Sequence, residues 1–413
     1  MFSNYEESGA PLLGSGDHLL TGKFRFTGPH ANTTIVNTLR RCIVTSTRSV
    51  GFSSDITIRK NTSVIPNEML AHRLTMLPLA VRNLDRFDPT NYQFLLQVKN
   101  SRGSGSKGSK GSKGVRDSLL HVKASDFRVL EKNESGEFLD AGTPAVTSIF
   151  PPDPITKDTC LLVSLKAQTN VEYPDEEVDL TAVAVIGTPL SQNNVAFSPV
   201  SQCSFSNTID PDSARQTQFF EAWMAKSKKV EDPATLSPEM RAQLRREWET
   251  LDIQRCFLVN EKGEPNSFEF TIESIGVRPV PEIVAEGIGA VISLVEPYAD
   301  VARTFADLGV KMLPPLSRME KGIELSFDGQ EHTLGVLLQY VMSEIFMDRE
   351  ISSVSYKVPH PLERKMSLIL KFNEEPTEEK ARMLVAGAAE RAKAIFTELA
   401  GAWTSQVMSY TPR

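Results

Sequence analysis

The sequence predicts an α+β fold arranged as an intramolecular pseudo-dimer, with a strand-rich insert in its first half. Three observations carry that expectation. A strand–turn–helix stretch near the start, GKFRFTGPHANTTIVNTLRRCI, is echoed near the end by GIELSFDGQEHTLGVLLQYVM; Thr34-Ile35 aligns with Thr333-Leu334 and Leu39 with Leu338. Each half closes on a long helix that follows a strand. Between the two, from Gly51 to about Ala196, the texture changes to short β-like runs. A repeated α/β unit has an apolar helix face that must find a partner, and the second copy can supply it.

The length of 413 residues suggests about two or three domains. A hydrophobic content of 40% with 23% charged residues is globular composition and excludes disordered, collagen-like and fibrous chains. The net charge of −7 and pI near 5.6 argue against a dedicated nucleic-acid binder. No apolar run approaches the ~20 residues that span a bilayer; the best, Ile283 to Val295, is interrupted by Glu286. The start, MFSNYEESGAPLL, lacks the basic-then-apolar pattern of a secretory signal. A soluble intracellular protein with no membrane partner is expected.

The cysteines, Cys42, Cys160, Cys203 and Cys256, are scattered, with no C-x-x-C pair to begin a zinc site. Reduced, mostly buried thiols are expected, with neither metal nor cofactor.

Residues 1–16 read as a flexible polar arm. A strand at Leu19 to Thr27 leads to a helix in which Thr34, Ile35, Leu39 and Ile43 have helical spacing. Asn32 or Thr33 can cap it. Residues 17–50 and 204–311 are assigned to one discontinuous dimerisation domain, and 51–203 to the β-rich insert. The insert's strand candidates are Ile56 to Arg59, Tyr92 to Val98, Leu119 to Lys123, Leu161 to Leu165 and Leu180 to Val185. Within it, residues 101–116 repeat Ser-Lys-Gly between two strand candidates and read as a flexible hairpin tip. They lack the Gly-Lys-Ser/Thr ending of a phosphate-binding loop.

Helical texture returns at Thr217 to Lys228 and Pro238 to Leu251, followed by a strand at Phe268 to Ile275. A long helix from Pro281 carries Val284, Ile288, Val291 and Val295 as its apolar stripe, and Pro297 is expected to kink or divide it. Residues 312–319, with Pro314 and Pro315, read as a linker. Residues 320–413 form the second dimerisation domain: a strand, a helix (Thr333 to Phe346), two strands and a last helix (Thr377 to Trp403) whose buried face holds Leu384, Ala388, Ile395 and Leu399. The expected pseudo-dimer core is Ile35, Leu39, Ile43, Val284, Ile288, Val291, Leu334, Leu338, Leu384, Ile395 and Leu399.

The runs NTLRRCI, IRKNTSVIPNEMLAHRLTMLPL, FSPVSQCSFSNTIDP and NSFEFTIESIGVRPVPEIVAEGI resemble the third-largest subunit of eukaryotic RNA polymerase II and, more distantly, the bacterial polymerase alpha subunit. The runs DGQEHTLGVLLQYVM and SYKVPHPLERKMSLIL resemble the eleventh subunit. The resemblance implies two polymerase-alpha-like dimerisation domains fused in one chain, as in polymerases of large DNA viruses, located in the viral particle and host cytoplasm. It implies a non-catalytic assembly subunit that docks the largest and second-largest RNA polymerase subunits and smaller polymerase subunits, with no direct role in DNA binding. The residues it points to for the second-largest subunit are Arg40, Arg41, Asn67, Glu68, His72 and Arg73. Gln339 stands where the first half has Arg40, so the two faces are not equivalent. Where cellular versions often carry a clustered-cysteine zinc loop, AVRNLDRFDPTNY has no cysteine, and packing is expected to hold that loop instead.

Nucleotidyl transfer needs carboxylates that hold magnesium ions about 4 Å apart. No Asp-x-Asp-x-Asp run occurs; Asp85 with Asp88, and Asp175, Glu176 and Glu177, read as solvated loops. His72, His332 and His360 read as structural or interface residues, and no catalytic residue is assigned. The alternative function is a free-standing nucleic-acid-binding protein using the Ser-Lys-Gly loop, which the acidic balance opposes. Trypsin should cut first within residues 101–116, and deletion of Ser104 to Gly114 should leave complex formation intact. Limited proteolysis and a pull-down with the deleted chain check this; lost binding would make the loop an interface.

Overall fold

A computed structural model describes residues 1–11, 19–101, 119–153, 155–167, 175–230, 236–314 and 321–410. Strand β1 (Phe2–Pro11) pairs antiparallel with β2 (Leu19–Thr27). The polar arm expected over residues 1–16 is therefore, over Phe2–Pro11, the edge strand of a sheet. A register shift between Ser3 and Glu6, with Asn4 at φ 54°, breaks the two-residue alternation. Phe2 and Tyr5, three positions apart, are thereby both buried. Helix α1 (Thr33–Thr45) follows; the Asn32 side chain accepts the Ile35 N–H at 3.0 Å, so the cap is Asn32.

The insert begins with β3 (Ser49–Phe52), β4 (Thr57–Asn61), α2 (Asn67–Thr75), β5 (Pro78–Leu79) and β6 (Tyr92–Lys99). It continues through β7 (Leu119–Lys123), β8 (Arg128–Lys132), β9 (Phe138–Asp140), α3 (Gly142–Ile149) and β10 (Leu161–Lys166). It ends with β11 (Glu177–Ala182), β12 (Ala184–Gly187) and the short α4 (Pro189–Gln192). Its sheets run β4-β11-β6-β8-β9, β12-β3-β5 and β10-β7 around one core, where Phe52, Phe94, Phe127 and Phe150 meet ring to ring. The single strand expected over Leu180 to Val185 is two, β11 and β12, in different sheets. The chain crosses at Val183, whose carbonyl accepts the Ser53 N–H at 3.0 Å. Strands β6 and β7 also lie in different sheets, so they are not the hairpin expected to flank the Ser-Lys-Gly repeat. Residues 102–118, which include all of that repeat but Ser101, lie outside the described residues.

The chain then returns through β13 (Val200–Asn207), a helical pair α5 (Ser213–Lys228) and α6 (Pro238–Thr250), β14 (Ser267–Ser274) and α7 (Val280–Ala299). The helical pair has its own small core of Phe220, Met224, Leu244 and Trp248. Helix α7 is not divided at Pro297; it continues to Ala299, because Val295 and Tyr298 on either side are buried and hold the last turn in line.

The last unit is β15 (Val310–Leu313), β16 (Gly322–Asp328), α8 (His332–Phe346), β17 (Ile351–Lys357), β18 (Lys365–Phe372) and α9 (Glu378–Met408). The linker expected over 312–319 starts inside β15, where Met312 and Leu313 pair with Leu325 and Glu324. Residues 315–320 lie outside the described residues.

The two terminal sheets have the same plan. Their strand orders are β1-β2-β14-β13 and β15-β16-β18-β17, antiparallel throughout. In each, the second strand in chain order feeds one helix (α1 or α8) and the fourth feeds a longer one (α7 or α9). Both sheets and all four helices contribute to a single hydrophobic core.

Two glycines of α7 separate packing from propensity. A methyl added at Gly287 falls 2.4 Å from Ile43 Cγ1, whereas one at Gly289 meets nothing within 4 Å. Gly287→Ala should destabilise the protein by about 1–2 kcal/mol, overpacking outweighing the helix-propensity gain. Gly289→Ala should stabilise it by about 0.5–1 kcal/mol. Urea denaturation of both variants checks the pair; equal shifts would mean that α1 and α7 do not approach this closely.

Candidate assembly interface

The eleven residues expected in the core all lie in one buried cluster: Ile35, Leu39 and Ile43 from α1, Val284, Ile288 and Val291 from α7, Leu334 and Leu338 from α8, and Leu384, Ile395 and Leu399 from α9. Polar contacts tie the two terminal units together around it. The Trp403 indole donates to the Pro281 carbonyl at 3.0 Å, and its ring packs against Phe2, Tyr5 and Phe24. Lys393 pairs with Glu296 at 3.0 Å and His30 with Glu398 at 3.0 Å. Tyr298 of α7 meets Phe327 of β16 with ring centroids 5.5 Å apart. A buried Trp whose N–H is satisfied combines a large apolar area with a directional bond, so it fixes the register of the helices it joins.

Arg40 and Arg41 are half-buried on α1, beside this core. Arg40 Nε donates to Asn37 Oδ1 at 3.0 Å, and neither guanidinium has an ion-pair partner among the described residues. The other residues named for docking, Asn67, Glu68, His72 and Arg73, lie exposed on α2, which buries Leu70 and Leu74 in the insert. Asn67 accepts from Asn61 at 2.9 Å and Arg73 donates to the Leu161 carbonyl at 3.0 Å. Val64, Met69 and Met76 are exposed beside them. The two groups therefore sit on different cores.

The side chains that join those cores were not singled out from the sequence for this role. Arg278, in the loop before α7, is buried and donates to Glu286 Oε2 and, at 3.1 Å, to the Arg48 carbonyl. Arg48, at the entrance to β3, donates to Glu286 Oε1 from its backbone at 2.9 Å and from Nε at 2.8 Å, and its guanidinium lies 3.7 Å from Asp85. Burial opposes ionisation of Glu286, but hydrogen bonds and charge from Arg278 and Arg48 outweigh it and hold the carboxyl below the usual carboxylate range. The only available signal was a glutamate inside an apolar helical stripe, which tells of a buried partner without saying which.

The cysteine-free segment of residues 80–92 is held by Leu84, which is buried, by Phe87 stacked on Tyr92 at 4.8 Å, and by the Arg48–Asp85 pair. Asp88 accepts from Thr90, whose hydroxyl and backbone N–H lower its pKa. Burial pushes the Cys42 and Cys203 thiols up to about 12, which makes them poor ligands and nucleophiles at neutral pH. Among the described residues, no three His, Cys, Asp or Glu side chains converge to hold a metal. His332 contacts Tyr356 at 3.4 Å, and His360 accepts the Leu362 N–H at 3.2 Å. Glu176 accepts the Lys166 N–H at 2.7 Å, and Glu177 pairs with Lys60. No described helix is long and apolar enough to cross a membrane.

Glu286→Gln would leave Arg278 buried beside a neutral group and should cost on the order of 3 kcal/mol at neutral pH. The pH dependence has a definite sign. Because the folded pKa lies below the ordinary 4.5, the glutamate's contribution is complete above that value and is lost as pH falls through the lower, folded one. The stability gap between wild type and variant should therefore close as pH drops below about 4.5. Urea midpoints measured from neutral pH down to about pH 3 test it; a gap that does not change with pH would mean that the carboxylate charge does not support the junction.

Comparison with known proteins adds to this geometry. Residues 322–401 match the family model of the RNA polymerase Rpb3/Rpb11 dimerisation domain, which spans β16 to α9. The chain is also 24% identical over 257 residues to DNA-directed RNA polymerase II subunit RPB3 of Schizosaccharomyces pombe, a match covering 62% of this chain and 75% of that protein. Both likenesses support an alpha-like subunit of RNA polymerase, and the family match lies in the last unit of the fold.

Proposed function

We propose that this chain is a non-catalytic assembly subunit of a multisubunit DNA-directed RNA polymerase, and that it supplies both halves of the alpha-like dimer in one polypeptide. The observation that carries the reading is the shared plan of the two terminal units, the second of which contains the matched dimerisation domain. Their helices bury one another's apolar faces, the arrangement that two separate subunits would need to reach by association. In one chain the linking segment raises the effective concentration of the second unit to about millimolar, so pairing does not depend on expression level.

The platform then docks the second-largest subunit, and afterwards the largest. Arg40 and Arg41 on α1 and Asn67, Glu68, His72 and Arg73 on α2 form the docking face, with exposed Val64, Met69 and Met76 adding apolar area. We propose further that this polymerase belongs to a large DNA virus, works in the host cytoplasm rather than the nucleus and is carried in the viral particle; the resemblance to fused subunits is what supports that reading. Purification of the chain from its source tests the reading. It should co-elute with the two large polymerase subunits, and elution alone would overturn it.

Replacing both Arg40 and Arg41 with alanine separates docking from folding. If the guanidiniums meet carboxylates or carbonyls across a desolvated interface, the double variant should lose about 2–5 kcal/mol of binding. Its melting temperature should stay close to wild type, since neither guanidinium has an ion-pair partner among the described residues. A pull-down of the second-largest subunit and a thermal melt read the two effects. Undiminished recovery would move the docking face to α2, and a large fall in melting temperature would assign the arginines to the core.

A further inference from the structure

The insert and the terminal units have separate cores, and among the described residues no buried side chain belongs to both. The chain crosses between them twice. It leaves through Ser46, Thr47 and Arg48, between α1 and β3, and returns through Ser198 and Pro199, just ahead of β13. The two crossings lie side by side, since the buried Ser49 hydroxyl donates to the Phe197 carbonyl at 2.7 Å. Two adjacent covalent connections between separate cores have the form of a hinge. On one flank the space between the cores is not filled. A cleft of about 960 Å³ is lined there by residues 80–83 and α3 of the insert and by Gly276 and Val277 of the loop before α7.

A hinge turns by changing φ and ψ at a few residues. The N–H of Ile275, just after β14, donates to the Pro199 carbonyl at 3.1 Å, which leaves the turning of the return crossing to Ser198. The bonds of Ser198 are local, from its N–H to the Val195 carbonyl at 2.9 Å and from its hydroxyl to the Val200 carbonyl at 3.1 Å. Arg48 is held differently. Its N–H donates to Glu286 Oε1 at 2.9 Å and its carbonyl accepts from Arg278 Nη1 at 3.1 Å. Two side chains from the far side of the junction thus grip both backbone groups of one residue, and they are also bonded to each other. Turning either peptide plane at Arg48 breaks one of these bonds and takes a partner from a buried charge, which is costly.

We infer that Glu286 and Arg278 are positioning residues that lock a hinge at Arg48 and so fix the angle between the insert and the helix seam. The consequence for assembly rests on the function proposed above. The residues assigned to docking lie on both sides of the hinge, Arg40 and Arg41 on α1 and Asn67, Glu68, His72 and Arg73 on α2. A partner that grips both groups meets them at one angle while the lock is closed, and loses less binding free energy to ordering them.

The test uses the full chain with spin labels at Ser135→Cys, in the turn between β8 and β9, and at Ser293→Cys, an exposed position of α7. The exposed native thiol is removed by Cys160→Ser, and the other three cysteines are buried. Double electron–electron resonance should give one narrow distance peak. Glu286→Gln, and separately Arg48→Gly, should replace that peak with a distribution about twice as wide or wider, with the circular dichroism spectrum kept. Arg48→Gly leaves the Arg278–Glu286 pair in place and loosens the hinge residue itself, so it carries the test if Glu286→Gln does not fold. A narrow peak at the wild-type distance in both variants, or a broad distribution in the wild type, would overturn the lock. Recovery of the second-largest polymerase subunit by Arg48→Gly should fall by about fivefold or more. Undiminished recovery beside a broadened distribution would overturn the positioning role. A wild-type chain that recovers no such subunit would count against the assembly reading instead, and the distance measurement would still decide the lock.

Discussion

Helices α1, α7, α8 and α9 each carry an apolar face wider than their own sheet can cover, and they cover one another. Each fully buried Leu, Ile or Val at this seam contributes about 1.5–3 kcal/mol relative to exposure. That area is available only when both terminal units are folded and in register. Where α1 meets α7 the fit leaves no room for a side chain at Gly287, and where α9 meets α7 it is directed by the Trp403 indole on the Pro281 carbonyl. Neither unit is a finished domain by itself. The two units share a strand order and the same succession of strands and helices, and their four helices bury residues in one cluster.

The insert solves a different problem. It has its own core and does not need the helix seam to bury its strands, so its orientation must be set by specific contacts. A buried ion pair is a weak source of net stability, but its geometry is narrow. Glu286 accepts from two arginines on opposite sides of the junction, one in the loop entering α7 and one at the start of β3. Together they tie the loop entering α7 to the start of β3.

Helices were the most legible part of the chain, because their apolar period survives any tertiary arrangement. The stripe of α7 and the paired stripes of α1 and α8 could be read directly, and the cap of α1 could be narrowed to Asn32 or Thr33, between which the structure chooses Asn32. Strands were less legible where backbone irregularity breaks the alternation. The bulge after Ser3 places Phe2 and Tyr5 on one face, so β1 has no two-residue pattern and reads as an arm. At Val183 the alternation continues while the hydrogen-bond partners change, so two strands read as one. Partner choice was not legible at all. Glu286 is identifiable as an anomaly, but Arg278 and Arg48 flank it from positions that sequence spacing cannot connect.

The contact between the first strand and the last helix has a consequence for biogenesis. Phe2 and Tyr5 pack on Trp403, so residues from opposite ends of the chain share one site. A ribosome finishes α7 about a hundred residues before it reaches Trp403, an interval on the order of 5–20 s at bacterial to eukaryotic elongation rates. Throughout that interval the nascent first unit presents an uncovered apolar helix, and Phe2 and Tyr5 of its edge strand lack the ring they pack on. A chain stopped near residue 310 would keep that apolar helix face uncovered, because the side chains that bury it come from α8 and α9.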